Sequence, residues 1–232
     1  MLGTVVNVIA IVGGVLIGIF FKKGIPEKFK ETILQGMGLA TILIGLKMGF
    51  SANNELLVII SLVVGGIIGE LIDIDYYLDV FGKKLQEKVG AEDSNFVQGF
   101  VTATLIFCVG AMAIMGSIES GLNGNHKILF AKSMLDFTMA TILASSLGLG
   151  VAFSAVPVFL YQGGITVAAA AIKGFLTEAV VAYLTATGGM LIVGIGINIL
   201  DIKKIKVANL LPSVVIVVFV TLIAARYFPN FI

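Results

Sequence analysis

Apolar residues along this chain run in stretches about as long as the hydrocarbon of a bilayer is thick, and the polar residues collect between them. A helix crosses that thickness with about 20 predominantly apolar residues. Read with a window of about 19 residues, the chain divides into candidate spans at 3–21, 33–50, 55–72, 96–118, 129–150, 152–172, 177–200 and 207–228. The fifth and sixth are separated only by 145–157, which carries no charge but crowds Gly, Ser and Pro together. Such a stretch weakens a regular helix, so it is either a tight turn or a broken, re-entrant segment at membrane depth. The expected fold is therefore all-α, one integral membrane domain over 1–232 formed by a bundle of seven or eight spans. The first run begins at the third residue and lacks a basic leader and a small-residue cleavage site, so it is expected to be retained.

Basic residues in short loops stay on the cytoplasmic side. Lys22, Lys23, Lys28 and Lys30 follow span one, Lys83, Lys84 and Lys88 follow span three, and Lys203, Lys204 and Lys206 follow span seven. Eight spans put all three clusters on one side and both termini outside. Between spans three and four, 75–88 alternates Tyr76, Tyr77, Leu78, Phe81 and Leu85 with Asp and Lys, the pattern of an amphipathic helix lying at the inner interface.

Transporters are often built from duplicated halves, and the chain resembles itself in one place. Gly110-Ala-Met-Ala-Ile-Met-Gly116 aligns without gaps on Gly188-Gly-Met-Leu-Ile-Val-Gly194, and Ile128 to Lys132 falls near Ile205 to Asn209. The expected directions make these stretches antiparallel, so 96–150 and 174–228 are candidate inverted repeat units; chance self-similarity of Gly-rich apolar sequence is the alternative. A shorter echo, Gly13 to Gly18 against Gly65 to Gly69, joins spans of like direction and reads as shared packing chemistry. Glycines on one helix face let backbones approach closely, within a chain or between subunits.

Composition sharpens this picture. Hydrophobic residues make up 58% and charged ones 12%, against about 25% charged in soluble domains. So few charges cannot surface a soluble domain, and a net charge of +1 leaves no nucleic-acid footprint. No Walker loop, HExxH or Cys/His metal spacing is present, and the lone Cys108 and lone His126 have no evident third partner. No catalytic residue, cofactor or metal is expected, and the chain is not read as an enzyme.

Ionisable groups at membrane depth are costly and normally face a partner or a watery cavity. Asp136 lies about two turns into span five with Lys132 four residues before it on the same face, and Glu178 opens span seven with Lys173 five residues earlier. Asn7 is placed to join helices by hydrogen bonding, and Gln162 follows the broken segment. Thr185, Thr187, Gly188, Gly189 and Asn198 share span seven, where small and polar groups together admit a solute or a neighbouring helix.

At 108–117, 185–198 and 207–212 (Val-Ala-Asn-Leu-Leu-Pro) the chain resembles the YqgA-like and YdfK-like bacterial inner-membrane proteins, a family named only as a domain of unknown function. The resemblance covers essentially the whole chain. Ala111 stands where the family's proline is expected, which removes the reason for a kink in span four. The resemblance implies a multi-pass inner-membrane protein and suggests transport, with no active site to carry over.

The leading expectation is a secondary transporter of a small solute or ion, its site drawn from Ser117, Asp136, Ser145, Ser146, Ser154, Gln162, Glu178, Thr185, Thr187, Gly188, Gly189 and Asn198. The rival is a non-transporting oligomeric scaffold or a small channel. The partners expected are the lipid bilayer, an unidentified solute or ion, and further copies of the chain.

Overall fold

The computed structural model describes residues 1–22, 27–90, 95–108, 110–172 and 174–227; Lys23, Lys173 and Val109, which enter the expectations above, lie outside them. All regular structure among the described residues is helical: α1 (Leu2–Lys22), α2 (Glu27–Gly49), α3 (Glu55–Ile72), α4 (Ile74–Val89), α5 (Phe96–Cys108), α6 (Ala111–Asn123), α7 (Lys127–Leu147), a 3-10 helix (Gly148–Ser154), α8 (Ala155–Ile172), α9 (Glu178–Ile199), a 3-10 turn (Val207–Leu210) and α10 (Pro212–Tyr227). Caps fix several ends. The Asn54 side chain accepts from the Leu56 amide to start α3, Thr177 accepts from Val180 to start α9, and Gly124 at φ 63° closes α6.

The distribution of side chains is that of a protein dissolved in lipid. On α1 the exposed residues are Leu2, Val5, Ile9, Val12 and Leu16, a stripe at three- and four-residue spacing, while the opposite face buries Thr4, Asn7, Ile11 and Val15. Water would not tolerate the outward stripe, and a bilayer favours it. Among the described residues five stretches are long and apolar enough to cross a membrane, six when α5 and α6 are taken as one bent span.

One of the five is the 45-residue stretch Lys127–Ala171. The Asn7 amide nitrogen bonds both Asp136 on α7 and Gln162 on α8, residues that a straight helix would hold about 39 Å apart. The chain therefore does not run on straight but folds back at Gly148–Ser154, within the segment expected to be a turn or a re-entrant break. Gly150 is seated on the Phe96 carbonyl at the start of α5, closer than a Cβ would allow.

The chain divides into two compact units, each assembled from distant stretches: 1–36 with 81–173, and 37–80 with 174–232. In the first, Gly14 and Gly18 of α1 lie on the carbonyls of Phe137 and Thr141, so α1 and α7 run parallel, while Gly99 and Phe107 of α5 meet Leu147 and Lys132, so α5 runs against α7. In the second, Gly38 and Gly45 of α2 meet Gly196 and Gly189 of α9, and Gly65 and Gly69 of α3 meet Ser213 and Asn209. Both pairs are antiparallel. Close helix seams within one chain thus account for these glycines, including those that sequence alone left open to subunit contacts.

Two expectations change. Span four is broken despite Ala111: Gly110 has extended backbone (φ 165°, ψ 150°), which interrupts the helical ladder, and α5 and α6 meet at 57°. The self-similar stretches also differ locally, since Gly110 precedes the first turn of α6 after this break whereas Gly188 to Gly194 lie inside the unbroken α9. Likewise Gly14 and Gly18 serve a parallel seam and Gly65 and Gly69 an antiparallel one, so that echo is packing chemistry.

Candidate functional site

A buried polar seat lies in the first unit where α1, α7 and α8 meet. Lys132 and Asp136, one turn apart on α7, form an ion pair with each residue only 6% exposed. Asn7 of α1 donates through Nδ2 to Asp136 Oδ2 at 2.9 Å and to Gln162 Oε1 of α8 at 3.3 Å. Asn7 and Gln162 are fully buried. The close α1–α7 seam positions this contact, because glycines at 14 and 18 draw the α1 backbone against α7 and carry Asn7 to the Asp136 carboxylate.

The seat is not internally satisfied. Asn7 Oδ1, Gln162 Nε2 and the Thr4 hydroxyl, three residues before Asn7 on the same face of α1, are buried and have no hydrogen-bond partner. Buried polar groups are nearly always paired, so these three unused groups and the ion pair make this seat the candidate site. Beside them lies the end of α5: the Lys132 ammonium stands 5.8 Å from the centroid of the Phe107 ring, next to the break. The last carbonyls of a helix have no partner within it and form its negative end, and α5 ends one residue after Phe107.

The other expected site residues fall out as follows. Ser117 on α6 is buried with an unpartnered hydroxyl, and so is the hydroxyl of Ser146, whereas Ser145 and Ser154 spend theirs on the carbonyls of Ile142 and Val151. In the second unit Glu178 is exposed, and Thr185 and Thr187 are buried with unpartnered hydroxyls. Gly188 is buried and Gly189 is covered by the α2 backbone. Asn198 has a structural partner: its amide donates to the Ile205 carbonyl at 2.8 Å and accepts from the Ile205 amide at 2.7 Å, closing the loop after α9.

The Val-Ala-Asn-Leu-Leu-Pro motif also acquires a structural role. Asn209, buried, donates to Glu70 of α3 and accepts from the Asp75 amide at the start of α4, each at 2.6 Å, pinning the α3–α4 corner. Lys206 pairs with Glu70 beside it, and this hydrogen bond holds Lys206, outside the apolar spans, above the ordinary lysine range. Thr4 and the break at Gly110 were missed in the sequence. The three-residue spacing of Thr4 and Asn7 was the available signal for the first; the second had only Gly110.

Among the described residues no three His, Cys, Asp or Glu side chains converge to hold a metal ion. The family described as "Protein of unknown function (DUF554)" matches residues 2–222. The "Uncharacterized membrane protein YdfK" of Bacillus subtilis (strain 168) is 34% identical over 93% of this chain and 93% of its own length. The "Uncharacterized protein YqgA" of Escherichia coli (strain K12) is 30% identical over 93% of this chain and 94% of its own. No solved structure matches. With its apolar helices and buried polar seat, the chain is a helical membrane protein that belongs to this family of unknown function.

Proposed function

We propose that the protein is a secondary transporter of a small solute or ion across the bacterial inner membrane, working at the seat of Asn7, Lys132, Asp136 and Gln162. The observation that carries this reading is a buried ion pair surrounded by unpartnered polar atoms. Ionised groups within a membrane bundle cost several kcal/mol unless function or pairing retains them, and a pair serving only stability is often matched by apolar packing. The helix break beside Lys132 adds irregular backbone at the place where transporters use it. No catalytic step, cofactor or metal is assigned, and the seat lies within one chain, so the reading does not depend on a homo-oligomer.

The same proposal includes eight crossings with both termini outside. The helix directions within each unit support it: α1 parallel to α7, α5 opposed to α7, α2 opposed to α9 and α3 opposed to α10 are the relations that eight alternating spans require. Cysteines placed at 53 and 86 would then label from opposite sides, and labelling from one side would overturn the topology. The scaffold reading draws on the glycine seams, which packing alone explains. Proteoliposomes with wild type or Asp136→Asn, incubated with a labelled mixture of metabolites and salts, decide between them. Saturable accumulation of one component in wild type only is the expected result. Matching profiles at equal folded protein would leave a scaffold.

A further inference from the structure

The chemistry of the seat identifies what it binds, and this step rests on the reading of the seat just given without requiring turnover. The orientation of the Asn7 amide is set by its neighbours: its NH2 faces the Asp136 carboxylate and Gln162 Oε1, so Oδ1 is the atom left over. One turn back on the same face, Thr4 adds a second buried, unpartnered oxygen. Gln162 Oε1 accepts a long bond of 3.3 Å from Asn7 and has a lone pair to spare. With the Asp136 carboxylate these make a set of hard oxygen donors, the set that hard cations select.

Only one of these donors carries charge. Divalent cations call for more carboxylates or many retained waters, and the charged group found acting on Asp136 among the described residues is Lys132, with no second acid beside it. One carboxylate with neutral oxygens matches a single positive charge. Lys132 already supplies such a charge on a tether, and while paired with Asp136 its ammonium also lies 5.8 Å from the centroid of the Phe107 ring, a face that attracts cations. An incoming cation can therefore take the carboxylate without leaving the ammonium stranded.

We propose that the Thr4, Asn7, Asp136 and Gln162 oxygens bind a sodium ion, and that the Lys132 ammonium competes with it for Asp136. The experiment is direct binding of radioactive sodium to the purified full-length protein in detergent, with choline as the replacing cation. Wild type should bind saturably. Asp136→Asn should weaken binding roughly tenfold or more, as loss of a charged contact does, and Thr4→Val, nearly isosteric, should weaken it several-fold with the fold retained. Lys132→Gln has the opposite sign: without its competitor the site should bind sodium more tightly, and sodium should raise the melting temperature of this variant more than that of wild type.

Absence of sodium binding in both wild type and Lys132→Gln would overturn the proposal, as would equal binding by wild type, Thr4→Val and Lys132→Gln. Should Asp136→Asn fail to fold, Thr4→Val and Lys132→Gln still decide. Sodium binding with the expected variant pattern but no uptake of any solute in liposomes would support the site while removing the transporter reading.

Discussion

Gly13 and Gly14 are adjacent on α1, and the structure assigns them opposite responses to one added methyl group. A Cβ on Gly13 would meet Phe137 at 3.7 Å, ordinary van der Waals contact, whereas a Cβ on Gly14 would collide with the Phe137 carbonyl and lie 3.1 Å from the Ala140 Cβ. Replacing helical glycine by alanine without strain gains about 0.4–1 kcal/mol, chiefly by restricting the unfolded chain. Gly13→Ala should collect that gain. Gly14→Ala collects it too but must open the α1–α7 seam, and overpacking of this kind costs about 1–3 kcal/mol. The two variants should differ by about that cost, with Gly14→Ala the less stable. Thermal melts in one detergent, beside the mass of each protein–detergent particle, provide the assay. Equal stabilities, or a lower one for Gly13→Ala, would refute the seam geometry. Dissociation of an oligomer by Gly14→Ala with the subunit fold intact would place the seam between subunits instead.

Three further outcomes follow from the polar contacts. Lys132→Met alone should destabilise by about 3–5 kcal/mol by stranding a buried carboxylate, and adding Asp136→Leu should restore most of it; a double variant no more stable than the single would refute the pairing. Asn198→Ala should cost about 1–3 kcal/mol, because two backbone groups of Ile205 lose their partners, while uptake per folded molecule stays at the wild-type level; lost uptake with an unchanged melt would return Asn198 to the site. The Lys206–Glu70 pair is exposed, so its contribution should be small and shrink with salt. Since pairing raises the Lys206 pKa, that contribution is complete below the ordinary lysine pKa and lost as pH rises through the raised value. A difference between wild type and Lys206→Met that grows with alkaline pH would contradict the assignment.

What the sequence disclosed depended on how far apart the interacting residues lie along it. The helices were legible because a membrane helix satisfies its own backbone and needs only a local run of apolar residues. Lys132 and Asp136 were legible as a pair because four residues separate them on one helix. The rest of the seat was not, since Asn7 reaches Asp136 across 129 positions and Gln162 across 155, and no local pattern encodes either contact. Asn198 shows the converse case. Its position among glycines and threonines suggested a solute-facing surface, yet its partner Ile205 lies seven residues on, beyond the end of α9, where an amide that closes a loop has the same sequence appearance as one that binds a ligand.

The glycines connect these cases. Glycine frequency told of close helix approach but not of which helix, and that choice decides function. At Gly14 and Gly18 the partner is α7, the helix that bears the ion pair, so the seam brings an amide to a charge. At Gly45 and Gly189 the partner is another glycine, backbone meets backbone, and a side chain added at Gly189 would meet the Gly45 carbonyl at 2.6 Å. At this point the two backbones are in direct contact. The same residue type thus brings an amide to an ion pair in one unit and seals a backbone contact in the other, and the difference lies in whether the contacted helix carries an acidic side chain within a turn of the contact. α7 does, with Asp136 next to Phe137. α9 does not, its one acidic residue being Glu178 at the exposed first turn.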